Sequence, residues 1–520
     1  MSTTEALESG FAPCVLKHAK AKYEAQAKKG KWDNYLKDLA DPKSAESLPT
    51  KVNLNDPISQ YFVSSSHNTY LTGNQLWSKA STDPYKDVLK RGCRCIEIDV
   101  WDGGSPSATS SSSSSDDEDN GKEPPKQTSN GGDAEVNRLA GAIKKGLGRI
   151  RSASSVGKPA PEAEAAPAQD NMPTPWRTTS REEPRVLHGY TATKEISFRA
   201  VCEVVRDYAF IATDLPLIVS LEVHCSHEQQ EIMVECMQDY WKQYLVEIPK
   251  DFSDETPLPP LSSLKKKILV KVKYTPPEKK HSKFGRKDAA DRDDDEEDQV
   301  DPSKKGKIIE ALSNLGVYVR SCHFDSLDQP EAKIPTHIFA LSESKVISLL
   351  EQNRTALFSH NLNYLMRAYP KGTRVRSSNL DPGPFWRQGI QVVALNWQQM
   401  NAAMMMNEAM FAGSGGWINK PDGYRPGPKG AQPPPIKRIG IDLHIEILAA
   451  QKLDQDKSSA PNAFIKTEKE AGSIPDGGKN KGGEWKRKSA VRYSKDPDFG
   501  GDTLEFKGVE DVIPELSFIR

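Results

Sequence analysis

An α/β fold built on a parallel sheet or barrel is what this sequence predicts, and three observations predict it. Short β-rich runs such as CIEIDV (95–100) and LIVSLEV (217–223) read as strands buried on both faces, which fits a parallel sheet or barrel. Helical patterns such as SESKVISLLEQN (342–353) alternate with these runs. The blocks are separated by two long polar stretches, 104–183 and 276–307, which contain too little apolar surface to offset their ordering entropy.

The order along the chain follows from composition. Residues 1–55 are polar and partly helical, with a lysine-rich helix expected around Ala19–Leu39 and no DxDxDG loop to mark an EF-hand. A dense apolar block runs through 56–103 and gives way to SATSSSSSSDDEDNGKEPPKQ and the rest of the expected disordered insertion, 104–183. Strand-like runs return at Arg185–Leu187, Phe210–Ile211 and Leu217–Val223, and close with LKKKILVKVKY (264–274), so 184–275 continues the first globular half. An acidic linker, 276–307, carries DAADRDDDEEDQVD; a second globular half spans 308–424 and a Pro/Gly linker 425–435. The last segment, 436–520, begins with IGIDLHIEIL, whose strict alternation reads as a half-buried strand.

Global properties exclude several classes. The 71 basic residues balance 72 acidic ones for a net charge of −1, and the basic segments lack interleaved aromatics, which argues against nucleic-acid binding. No apolar run is long enough to span a membrane, and MSTTEALESG lacks the features of a signal peptide. Seven cysteines are dispersed without CxxC pairing, which points to reduced thiols in the cytosol.

The chemistry is concentrated in polar pairs inside otherwise apolar strands. Glu97/Asp99, Ser220/Glu222 and Lys271/Lys273 are each spaced i, i+2, which puts both side chains of a pair on one face. Buried charges need a shared purpose. At the C-terminal ends of parallel barrel strands they would converge on one face, where clustered carboxylates call for a cation and hard oxygen ligands favour Ca²⁺ or Mg²⁺. The lysines suit a phosphate. The alternative is an internal salt bridge between Glu97 or Glu222 and Lys271. His67, in VSSSHNTYL, and His188, in RVLHGYT, each follow a β-rich run and suit proton transfer at neutral pH. Read from the residues alone, the pattern is metal-assisted phosphodiester chemistry, with structural roles for both histidines left open.

These residues stand in blocks that together resemble the eukaryotic phosphoinositide-specific phospholipases C of delta-like type. The X half is matched by YFVSSSHNTYLTGNQL (61–76), GCRCIEIDVWDG (92–103), RVLHGYT (185–191) and LPLIVSLEVHCSHEQQ (215–230). The Y half is matched by LSESK (341–345), RAYPKGTR (367–374), SSNLDPGPFWRQGIQVVALNWQ (377–398) and INKP (418–421). The resemblance implies a TIM-type (β/α)8 barrel split into X and Y halves by a disordered linker. It also implies a partial all-β sandwich over 436–520, similar to the start of a C2 domain, in which IDLHIEILAAQKL, NAFIKTE and PELSFIR supply strands. On the same resemblance that sandwich is incomplete, and about 55 residues before the barrel leave no room for a pleckstrin-homology domain.

By that resemblance Asn68, Glu97, Asp99 and Glu222 are the Ca²⁺ ligands. His67 stabilises charge on the phosphoryl group, His188 is the general acid for the diacylglycerol oxygen, and Glu97 is the base for the inositol 2-hydroxyl. Ser220, Lys271, Lys273, Arg367 and Tyr369 form the head-group site. The implied reaction is Ca²⁺-dependent hydrolysis of phosphatidylinositol 4,5-bisphosphate to diacylglycerol and inositol 1,4,5-trisphosphate through a cyclic phosphodiester, in lipid signalling. The implied setting is cytoplasmic, with peripheral recruitment to phosphoinositide in the inner membrane leaflet.

Departures from the family pattern fall beside the site. Ala340 replaces a serine that would give a ring phosphate one hydroxyl contact; Val272 separates the lysines where glycine is usual, and Val223 stands for asparagine. Leu76 and Trp77 are expected at the lipid-facing mouth, with a core role for Trp77 left open, while Ala192 and Thr373 replace larger rim residues. Within the insertion, 134–155 reads either as a solvated disordered segment or as a basic amphipathic helix for anionic membrane, whose attraction kinases acting on Ser152 or Ser154 would weaken. Two other classes remain: a catalytically silent phosphoinositide-binding scaffold, and a barrel impaired by its C-terminal module.

Overall fold

Eight parallel strands close into a barrel: β1 Tyr61–Ser66, β2 Cys95–Trp101, β3 Leu217–Val223, β4 Ile268–Lys271, β5 Arg320–Cys322, β6 His337–Ser342, β7 Leu365–Tyr369 and β8 Val392–Leu395. Register pairs join β1 to β2, β2 to β3 and β3 to β4, then β5 to β6, β6 to β7, β7 to β8, and β8 back to β1. The seam between the two halves is a parallel bridge, Lys273 to Ser321, with Tyr274 N–H donating to the Ser321 carbonyl at 2.9 Å. The computed structural model describes residues 3–26, 30–41, 52–104, 181–189, 191, 193–275, 308–427, 431–453, 462–463, 466–470 and 486–519. The expected insertion helix with Ser152 and Ser154, the acidic linker and Ala192 lie outside them.

A helical segment follows each strand, in order Asp83–Lys90, Phe198–Tyr208, His227–Trp241, Glu310–Ser313, a 3-10 turn at Pro330–Lys333, Glu343–Asn363, Gly383–Trp386 and Ala402–Phe411. Strand alternation explains why they dock. In β2, Ile96, Ile98 and Val100 point outward and pack with Phe198, Val201, Cys202 and Val205, the apolar stripe of the next helix. Each such side chain contributes about 2 kcal/mol on burial. The helix read at 342–353 continues to Asn363, with a kink at Asn353 (φ −142°, ψ 41°).

The barrel interior is layered. Val63, Cys95, Ile218, Leu269, Val319, Ile338, Leu365 and Val392, one from each strand or its first flank, form a dry apolar floor. Two residues further along each strand the inward positions become Ser65, Glu97, Ser220, Lys271, Ser321, Ala340, Arg367 and Ala394. The polar pairs therefore sit above a packed core, toward the strand C-termini.

Three local readings are corrected. Phe210–Ile211 is a turn after the helix Phe198–Tyr208, with Ile211 62% exposed, so two adjacent apolar residues did not mark a strand. The lysine-rich stretch forms two helices, Pro13–Ala25 and Trp32–Ala40, with Gly30 at φ +86° between them. At the C-terminal end, β9 Ile439–Ala449 pairs antiparallel with β10 Asp498–Val512, a 15-residue strand whose DFGGDTLEFKGVEDV composition conceals it. Lys466–Glu470 pairs with Phe518–Ile519, and Ile513, Leu516 and Phe518 pack against Phe385 and Trp386 of the barrel. The helix Pro13–Ala25 meets the β9–β10 pair, His18 Nε2 lying 2.7 Å from Asp498 Oδ1. Among the described residues no helix is long and apolar enough to cross a membrane.

Candidate active site

Register brings the sequence pairs into one row. Glu97 lies opposite Ser220, and Ser220 opposite Lys271, across β2, β3 and β4; Asp99 lies opposite Glu222 in the next layer out. One carboxylate oxygen each from Glu97, Asp99 and Glu222 lie within 4.8 Å of one another. Glu97 and Asp99 are buried, whereas Glu222 opens to the mouth. Lys271 is buried, and Lys273, one layer further out, is exposed at the rim.

The loop after β1 supplies the next groups. Asn68 is held in the left-handed region (φ 43°), where asparagine is tolerated better than most residues. This turn aims its N–H at Glu97 Oε2, 2.9 Å away. Thr69 Oγ1 accepts from Glu97 N–H at 3.0 Å, and Tyr70 OH donates to Asp99 Oδ2 at 2.5 Å, pinning the loop to β2. His67 Nε2 stands 4.0 Å from Glu97 Oε2. The ring of Tyr369 is parallel to that of His67, with centroids 6.1 Å apart.

Tautomers follow from the partners. Asn396 Nδ2 donates to the Ser378 carbonyl at 3.0 Å, so its Oδ1 is the atom facing His67 Nδ1 at 3.1 Å, and that nitrogen carries the proton. His188 Nδ1 lies 2.7 Å from the Gln75 carbonyl, which can only accept. In both rings Nε2 is thus the nitrogen left for substrate.

Charge is balanced unevenly. The Arg367 guanidinium donates to Glu97 Oε1 at 2.5 Å, both side chains being 1% exposed. Burial works against the Arg367 charge, but Glu97, Cys95 and Glu222 outweigh it and the pKa rises. This pair answers the salt-bridge alternative in a different form: Glu97 has an ion-pair partner, and it is Arg367, not Lys271. Burial, then Glu222 and Glu97, push the Asp99 carboxyl well above the usual range. Burial also opposes ionisation of Glu222, yet the bond and charge of His224 and the charges of Arg367 and Lys271 bring it down to about 2. His224 is itself held by Trp101, stacked at 4.2 Å. Burial lowers the His188 pKa and, with Arg367, that of Lys271.

Several polar groups have been left for a ligand. Asp99 Oδ1 and Ser220 Oγ are buried with no hydrogen-bond partner among the described residues. An acidic cluster with an orphaned carboxylate oxygen fits a hard divalent cation, held by Glu97, Asp99 and Glu222 with Asn68 alongside. Every site residue singled out in the sequence lies on this face. Sequence reasoning missed Gln75, Asn396, Trp101 and His224, although all four sit in or beside the matched blocks, because uncharged or loop residues carry no spacing signal.

The comparisons with known proteins place the chain. Residues 54–274 match the family model "Phosphatidylinositol-specific phospholipase C, X domain", and 312–423 match its Y domain. The chain belongs to the phosphatidylinositol-specific phospholipase C family. It is 32% identical over 428 residues to 1-phosphatidylinositol 4,5-bisphosphate phosphodiesterase 1 of Candida albicans, covering 76% of this chain and 34% of that one. It is 29% identical over 445 residues to the delta-1 phosphodiesterase of Homo sapiens, covering 80% and 48%. It thus spans about a third and about half of the lengths of these relatives. The crystal structure of L. pealei PLC21 superposes with a TM-score of 0.65 at 25% identity, covering 96% of this chain and 56% of that one.

Proposed function

We propose that this protein is a Ca²⁺-dependent phospholipase C that hydrolyses phosphatidylinositol 4,5-bisphosphate to diacylglycerol and inositol 1,4,5-trisphosphate. The observation that carries the proposal is a pair of buried atoms with no hydrogen-bond partner among the described residues, Asp99 Oδ1 and Ser220 Oγ, beside the buried cation Lys271 and on one face with His67 and His188. Leaving such groups unsatisfied is costly, and a cation with a polyanionic head group satisfies them together. The substrate is the one in the names of the relatives.

Lys271, Lys273 and Arg367 bind ring phosphates, Ser220 donates to the head group, and Tyr369 lies against the inositol ring. Asn68, Glu97, Asp99 and Glu222 would hold Ca²⁺, which would neutralise phosphoryl charge and lower the pKa of the 2-hydroxyl. Glu97 takes the 2-hydroxyl proton as that oxygen attacks phosphorus. His188, entering as the imidazolium with both nitrogens protonated, gives its Nε2 proton to the glycerol oxygen as the phosphorus–oxygen bond breaks, and His67, also as the imidazolium, donates from Nε2–H to the phosphoryl oxygen. Diacylglycerol leaves and a cyclic phosphodiester remains. Water then adds to phosphorus, His188 taking its proton, and the bond to the 2-oxygen breaks as Glu97 returns its proton to that oxygen, leaving the 1-phosphate.

Such a substrate sets the location: cytoplasmic, with peripheral contact to the inner leaflet. Trp77, 52% exposed in the loop after β1, belongs to the surface rather than the core and is suited to that contact. The role is lipid signal transduction. The test is release of water-soluble inositol phosphates from mixed micelles, with Ca²⁺ or chelator, for wild type and His67→Ala. Ca²⁺-dependent release lost in the variant is expected; no release from folded wild type overturns the proposal.

A further inference from the structure

Gln75 is 6% exposed and carries no charge, yet three of its five hydrogen bonds reach Asn68, His188 and the Asn396 that holds His67. Its Oε1 accepts from Asn68 Nδ2 at 2.8 Å, and its Nε2 donates to Ser377 Oγ at 2.8 Å and to Asn396 Oδ1 at 3.3 Å. Its carbonyl accepts from His188 Nδ1–H at 2.7 Å, and its N–H donates to the Val375 carbonyl at 2.9 Å. Asn396 Oδ1, shared with Gln75, is the atom that holds His67 at 3.1 Å.

The orientation of the amide is dictated from outside. Ser377 Oγ donates to the Gly73 carbonyl at 2.6 Å, an atom that can only accept. Ser377 Oγ is therefore left to accept, and the Gln75 NH₂ must face it. Gln75 Oε1 then faces Asn68, which must answer with its own NH₂. The remaining atom of the Asn68 amide is its oxygen, the donor a hard cation takes. Flipping one amide would present nitrogen instead.

We propose that Gln75 is the positioning residue of this site: through one relay, Gly73 carbonyl to Ser377 to Gln75 to Asn68, it sets Asn68 to offer oxygen to a divalent cation, while its other contacts fix His67 and His188. It also joins the two halves of the barrel, since Val375, Ser377 and Asn396 belong to the second. The proposal rests on the phospholipase C reading, but its cation part is measured without turnover.

The experiment is calorimetric titration of CaCl₂ into chelator-stripped full-length protein, alongside kcat and KM on micelles, for wild type, Gln75→Met and Gln75→Glu. Gln75→Met keeps the length and loses every amide contact; Ca²⁺ binding weakens and kcat falls, each by about 10- to 100-fold, with KM within about threefold. Gln75→Glu still accepts from Asn68 but has no NH₂ for Asn396. Its Ca²⁺ affinity returns to within about threefold of wild type while kcat stays depressed. Thermal melting shows whether each variant is folded. If Gln75→Met does not fold, Ser377→Ala, which removes the acceptor fixing the amide, is expected to weaken Ca²⁺ about threefold or more. Wild-type-like Ca²⁺ binding and kcat in Gln75→Met, or in Ser377→Ala, overturns the proposal, as does Gln75→Glu binding Ca²⁺ no better than Gln75→Met. Wild type that binds Ca²⁺ yet releases no inositol phosphate sinks the phospholipase reading alone.

Discussion

Replacing Arg367 with methionine tests whether the carboxylate cluster is held together by its one buried ion pair among the described residues. Arg367 and Glu97 are each 1% exposed and meet at 2.5 Å. Methionine fills most of the same volume, so the change is chiefly electrostatic. Glu97 would be left buried within 4.8 Å of ligand oxygens from two further acids, Asp99 and Glu222. Removing one member of a buried pair costs about 3 to 5 kcal/mol, because the other is left uncompensated. For a cooperative unit the size of this barrel that is a fall in Tm of roughly 5 °C. The assay is thermal melting in chelator at neutral pH. The double variant Arg367→Met/Glu97→Gln should melt higher than Arg367→Met alone, since no unpaired charge remains. Saturating Ca²⁺ should raise the Tm of Arg367→Met by more than that of wild type, the cation taking over part of the lost compensation. An Arg367→Met protein that melts with wild type in chelator would refute the reasoning.

Two further outcomes follow from single residues. Burial, with Lys420, takes the His360 pKa from an ordinary 6.5 to about 4. The unfolded chain therefore binds the proton first: the stabilisation is complete above about pH 6.5 and is lost as pH falls toward 4, by up to about 3 kcal/mol. His360→Phe, which suits a ring already stacked on Phe339, should flatten the dependence of Tm on pH over that window, and an unchanged slope contradicts this. Ala340 stands opposite Arg367 across β6 and β7, where the family carries serine. Ala340→Ser restores one hydroxyl contact worth about 1 kcal/mol, so inositol 1,4,5-trisphosphate should bind roughly fivefold tighter by calorimetry in chelator; equal or weaker binding contradicts it.

What the sequence made legible was local and periodic. The i, i+2 polar pairs announce themselves because strand alternation puts Glu97 and Asp99 on one face of the otherwise apolar CIEIDV. Contacts that depend on closure were not readable. Arg367 lies 270 residues from Glu97, and nothing in RAYPKGTR says which acid it will meet. The Lys271 alternative was reasonable for a strand two positions away in the sheet, but the shared row left Lys271 beside Ser220 instead. Gln75 was invisible because an amide's role lies in its orientation, which only its neighbours set. The long strand Asp498–Val512 was missed because its glycines and acids break the alternation that exposed Ile439–Ala449.

The central claim is that this mouth cleaves a phosphodiester by internal attack with a cation present. The most direct measurement is a ³¹P NMR time course of phosphatidylinositol 4,5-bisphosphate micelles with the protein, in Ca²⁺ and in chelator. The account predicts a cyclic phosphodiester resonance that rises and then gives way to a phosphomonoester, with diacylglycerol formed in step, in Ca²⁺ only. Unchanged substrate in Ca²⁺, or a lipid product that retains the 1-phosphate, would contradict it.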